Sequence, residues 1–197
     1  MSHGCEKNAT TTCGWIRGDA IALLRDRSAL TAESINNASS WEVWSNATRR
    51  WTSLSHAYSW TDARWAENAA PIVRWPGRVG VTNVVRSSGR FLMFVSVPTA
   101  HGWSNGTMDS WVAEADELTG PWRLVSYWTA FGPQGYFLNA PPPWMRGDSM
   151  WTYWSAAWNL QTVGDSAQPA FCEFGPGRPP STRGNCYGSV LGEMVLT

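Results

Sequence analysis

Lysine is nearly absent: Lys7 stands alone against fourteen arginines in a chain of 197 residues. Excess charge of either sign is absent too, since fifteen Lys plus Arg balance fifteen Asp plus Glu. That excludes the clustered positive footprint that nucleic acid or an anionic membrane surface needs. Charged residues make up only 15% of the chain, against an ordinary ~25%. Hydrophobic residues nevertheless reach 43%, which excludes a disordered chain. No apolar run approaches the ~18 residues of a membrane span. There is no Gly-x-x-x-x-Gly-Lys or Gly-x-Gly-x-x-Gly phosphate loop. The three histidines are scattered. His3, Cys5 and Cys13 offer three zinc-type ligands without a fourth, so neither a metal nor another cofactor is expected.

What the chain has instead is tryptophan, fifteen of them, with 18 Gly and 12 Pro. That composition describes many short strands joined by tight turns, in a chain long enough for one domain with a sizeable core. Four Asn-x-Ser/Thr acceptors, at Asn8, Asn37, Asn46 and Asn105, point to the secretory route and an extracellular location. The four cysteines fall in two local pairs, Cys5 with Cys13 and Cys172 with Cys186. Three pairings exist, and the local one closes two short loops in Gly/Pro-rich sequence. Residues 1–20 hold no 7–15-residue apolar segment of the signal-peptide kind. Both observations fit if the chain is the later part of a longer secreted protein.

Strand signals recur along the chain. Phe91-Leu92-Met93-Phe94-Val95 is an apolar run too short for a helix, as expected of a strand buried on both faces. Trp111 to Asp116 alternates, then the turn Thr119-Gly120-Pro121 leads into a strand from Trp122 to Trp128. Met150–Trp154 and Val190–Leu196 read as two more strands. Helix is scarce, with Leu30–Asn36 the best candidate.

An internal repeat organises these pieces. Trp15-Ile-Arg-Gly-Asp-Ala-Ile21 recurs as Trp144-Met-Arg-Gly-Asp-Ser-Met150, with a looser copy in Ser88-Gly89-Arg90-Phe91-Leu92-Met93. Gly18, Gly89 and Gly147 each fall where a hairpin turn needs a residue free to adopt φ > 0. The two Arg-Gly-Asp triplets are therefore read as turns rather than as adhesion ligands. A repeat holding about four strands is the unit of a β-propeller blade. The middle unit predicts four strands, near 80–86, 91–97, 111–116 and 122–128. The expected fold is all-β: a tail over 1–13, then a partial propeller over 14–197 with blades near 14–79, 80–135 and 136–197. Three blades cannot close a ring. Inner runs of the Phe91–Val95 type would then be exposed at open edges, and self-association through those edges is expected.

Asp109 to Tyr127, with its Trp-Val-Ala-Glu-Ala-Asp strand and Leu118-Thr-Gly-Pro-Trp122 turn, resembles the blades of five-bladed, glycosidase-type propellers. These include the family 43 glycoside hydrolases and secreted relatives of unknown function. Phe131-Gly-Pro-Gln-Gly-Tyr-Phe-Leu-Asn139 running into Trp151–Ser155, and Arg25-Asp26-Arg27-Ser28, resemble the same relatives. The likeness covers most of 20–155. It implies a carbohydrate ligand, and it places the family's acid Glu, which starts an innermost strand, at Asn139 of this chain.

Blade topology puts the long loops, at 25–40, 56–79, 98–109, 129–136 and 159–185, on one face, where binding residues usually gather. Trp60, His101, Trp103, Gln134, Tyr136, Asn139 and Trp158 are the candidate binding residues. Indole faces stack on pyranose C–H surfaces while amides and carboxylates take the hydroxyls. Most of the tryptophans belong to the core, but Trp60 and Trp103 sit in polar loop sequence. Glycoside hydrolysis needs two carboxylates, and Asp62, Glu67 and Asp109 are available without a spacing that marks a pair. An amide at 139 cannot protonate a leaving group. The reading is a secreted glycosidase-like module that binds carbohydrate without ordinary hydrolysis. Two others stand beside it: a working hydrolase completed by absent N-terminal blades, and a structural interaction propeller without a glycan.

Overall fold

The computed structural model describes residues 2–4, 17–27, 31–54, 69–98, 108–131, 135–147, 149–157 and 187–195. Among these the protein is all-β, with 66% strand, 9% helix, several antiparallel sheets and no closed barrel. It divides into two compact units, residues 1–79 with 119–122, and 80–118 with 123–197.

The first unit holds two three-stranded sheets, where one four-stranded blade was expected over 14–79. In one, β2 (Gly18–Ala22) lies between β1 (Ser2–Gly4) and β6 (Pro71–Val79). In the other, β4 (Trp41–Trp44) lies between β3 (Leu24–Asp26) and β5 (Trp51–Ser53). Leu23 is the hinge residue, its carbonyl accepting from the Trp44 amide at 3.1 Å. Val43, Leu54 and Ala69 form the local core with Ala22, Leu24 and Trp41. The expected helix is the short α1 (Ala32–Asn36). It starts at Thr31, whose Oγ1 accepts from the Ser34 amide at 3.0 Å while Ser34 Oγ accepts from the Thr31 amide at 2.9 Å. That reciprocal box satisfies helix-start donors that would otherwise be orphaned.

Gly18 departs from the expected hairpin turn. It is buried in β2 and paired with Val79, and Asp19 beside it is fully buried. The Asp19 carboxylate accepts the Gly77 amide at 2.7 Å. The Arg17-Gly18-Asp19 triplet therefore anchors β6 instead of presenting a turn. The reason is long-range: β6 supplies the pairing partner, and sequence local to Gly18 carries no trace of it.

The second unit opens with the four-strand meander the repeat predicts. β7 (Val81–Ser87), β8 (Arg90–Pro98), β9 (Met108–Ala115) and β10 (Arg123–Trp128) pair in chain order. The β7–β8 turn is Ser88-Gly89, with φ of 48° and 84° and Ser87 paired to Arg90. Two positive-φ residues closing a two-residue loop make the hairpin turn whose twist suits the strands. Leu92 to Pro98 are all buried, because β8 has a strand on each side and cover on both faces. The Phe91–Val95 run is thus interior rather than an open edge. Exposed apolar side chains of this sheet lie on edge strand β10, at Leu124 and Val125.

The remaining strands form one more antiparallel sheet. β13 (Ser149–Ala157) pairs on one side with β11 (Gly135–Asn139) and β12 (Met145–Arg146), and on the other with β14 (Tyr187–Val195). A 3-10 turn at Pro142–Trp144 interrupts the strand between β11 and β12. Alternation along β13 sends Met150, Thr152 and Trp154 to one face and Ser149, Trp151 and Tyr153 to the other. The first face joins the core: Met150 and Leu138 pack with Val85, Leu92, Phe94 and Val112 of the meander. Phe131 bridges Trp128 and Trp154, at ring-centre distances of 5.3 and 5.0 Å. The second face carries the groove described next.

Candidate functional site: an aromatic groove on the last sheet

The β12–β13 hairpin and β14 shape an open groove of about 500 Å³, lined by Pro143, Trp144, Arg146, Ser149, Trp151, Leu191 and Glu193. Register explains the grouping. Arg146 stands opposite Ser149, and Trp151 opposite Glu193, while Ser149 and Trp151, two residues apart, share a face. Trp144 and Trp151 are 45% and 48% exposed, an unusual state for such large apolar rings. Trp144 is braced edge-on by Tyr153, 6.2 Å between ring centres. Ser149 Oγ donates to Glu193 Oε1 at 2.5 Å, which holds that carboxylate along the wall.

Asn139 stands beside this groove. Its side-chain carbonyl accepts from Asn83, and its amide donates to the Tyr153 hydroxyl at 2.9 Å. Asn139 therefore orients Tyr153, and through it the Trp144 edge. Tyr136 stands two residues into β11, paired with Ser155. Asp109 was expected at the end of a loop; it is instead the second residue of β9 and only 2% exposed. Tyr127 donates to one of its oxygens at 2.5 Å and the Ala130 amide to the other at 3.0 Å.

Trp60, Asp62, Glu67, His101, Trp103, Gln134 and Trp158 lie outside the described residues, as do Cys5, Cys13, Cys172, Cys186, Asn8 and Asn105. Asn37 and Asn46 are both exposed; Asn37 Oδ1 accepts from the Ser39 amide and hydroxyl at 3.1 and 2.7 Å. Among the described residues, no group of three or more His, Cys, Asp or Glu is placed to hold a metal ion. Nor is any helix there long and apolar enough to cross a membrane.

The groove residues themselves escaped the sequence reading, which used Trp144 and Trp151 only as repeat and strand markers. The alternation Ser149-x-Trp151-x-Tyr153 was the available signal. Aromatic rings on both faces of β13 hid which face is covered. No protein-family model, curated protein or solved structure matches this chain.

Proposed function

We propose that this protein is a secreted, glycosidase-like propeller module that binds carbohydrate on the Trp144/Trp151 groove and does not hydrolyse it. The observation that carries the reading is the pair of half-exposed indoles flanked by Arg146, Ser149 and Glu193. A pyranose offers an apolar C–H face to such rings and hydroxyls to such polar groups. The in-order meander β7–β10, packed face to face with the following sheet, supports a blade-like arrangement. An amide at Asn139, committed to Asn83 and Tyr153, supports binding over acid catalysis. The exposed Asn37 and Asn46 acceptors support a secretory origin.

The test is affinity electrophoresis through gels containing arabinan, xylan, pectin or polygalacturonate, with wild type beside W144A and W151A. Retardation by at least one polysaccharide is expected, weakened about tenfold by each indole lost, the factor that about 1.4 kcal/mol represents. Equal retardation of both variants would remove the groove from the reading. Release of reducing sugar by the purified chain would replace binding with hydrolysis.

A further inference from the structure

We propose that the groove takes an acidic sugar and that Arg146 selects its carboxylate, an inference that rests on the glycan-binding reading above. The three other described arginines of the same unit are committed. Arg90 and Arg123 both hold Glu114, and Arg86 lies over the Phe91 ring at 5.6 Å. Arg146 is exposed and, among the described residues, has no hydrogen-bond or ion-pair partner. The acid that could neutralise it across the groove, Glu193, instead accepts from Ser149 at 2.5 Å. A cation with no partner among the described residues thus faces an aromatic groove.

Geometry makes the cation useful to a ring stacked on Trp151. Arg146 opposes Ser149, so Trp151 is its diagonal neighbour, roughly 7–8 Å away and within reach of a long side chain. That separation suits one sugar ring lying on the indole with a substituent directed at the guanidinium. A carboxylate matches the planar fork with two parallel N–H···O bonds, which a hydroxymethyl group cannot do. The class of ligand is therefore a uronic-acid polysaccharide. A sulfated glycan shares the negative charge but not the planar two-oxygen shape.

The experiment measures retardation and calorimetric affinity for polygalacturonate, its fully methyl-esterified form and dextran sulfate, using wild type, R146M, R146K and W151A. The acid form is expected to bind best. R146M should weaken it about tenfold or more while lowering affinity for the ester by a much smaller factor, and R146K should fall between because an ammonium lacks the fork. Arg146 is exposed, so R146M should keep the wild-type melting temperature. If acid and ester bind alike and R146M changes neither, carbohydrate binding stands and acid selection is overturned. If dextran sulfate binds as well as polygalacturonate, with the same R146M loss, charge alone is read and the carboxylate assignment is overturned. If no polysaccharide binds, the glycan-binding reading itself has failed.

Discussion

The Tyr127 hydroxyl donates to the Asp109 carboxylate at 2.5 Å, fastening β10 to the start of β9. The Ala130 amide holds the other oxygen. An acid only 2% exposed and gripped at both oxygens stabilises structure, because burial without those donors would be costly. Y127F is expected to cost about 1.5–3 kcal/mol in urea denaturation, the range for a hydrogen bond to a charged group. D109A should cost about 1–3 kcal/mol for each donor it leaves unpaired. Neither variant should change polysaccharide retardation while folded, since neither residue lines the groove. A folded Y127F that no longer binds glycan would move Asp109 into the site.

Glu114 lies between Arg123 and Arg90 on the exposed side of the meander. The Arg123 hydrogen bond, helped by Arg90 and opposed by partial burial, holds its carboxyl below the usual 4.5. A depressed folded-state value contributes stability that is present above the unfolded value. It is lost as pH falls through the folded one. The melting-temperature gap between wild type and E114Q should therefore be constant near neutrality and close below about pH 4.5. Both arginines are more than half exposed, so salt should shrink the gap. A gap that widens on acidification would contradict the sign.

Local features were legible in the sequence, and partners distant in the chain were not. Phe91–Val95 announces a doubly buried strand because both faces are apolar, and Gly89 announces its turn because few residues tolerate φ of 84°. Gly18 carries the same repeat signature yet lies in a ladder, since Val79 happens to be its partner. The groove was hidden for a related reason. Whether Trp151 is covered depends on β14, whose Glu193 pairs with it from far along the chain. Tryptophan identity alone favours the core. Only register tells Trp151, exposed, from Trp154, three residues on and packed against Phe131.

The Ser88-Gly89 turn offers a change of each sign. A Cβ at Gly89 would meet nothing within 4 Å, so G89A tests backbone conformation without a clash. It should cost about 1 kcal/mol, the penalty of holding alanine at positive φ. Ser88 already sits at φ 48°, where asparagine is better tolerated, and Asn-Gly is the preferred pair for this turn. S88N is expected to stabilise by roughly 0.5 kcal/mol. Equal midpoints for G89A and wild type in guanidinium would mean the turn is not held as described.

Asn139 is where the two readings of one residue separate. As an acid position emptied by evolution, it would tolerate alanine without structural cost and alter only chemistry. As seen here, its carbonyl takes Asn83 and its amide takes Tyr153, and Tyr153 braces Trp144. N139A should therefore cost about 1–3 kcal/mol for the partners left unpaired, and weaken glycan retardation by loosening the Trp144 wall. N139D is the informative companion. A carboxylate there can still accept from Asn83, and the Tyr153 hydroxyl can reverse to become the donor. N139D should thus keep the wild-type melting temperature and most of the glycan affinity at neutral pH. If N139A matches wild type in both stability and retardation, Asn139 does not support the groove.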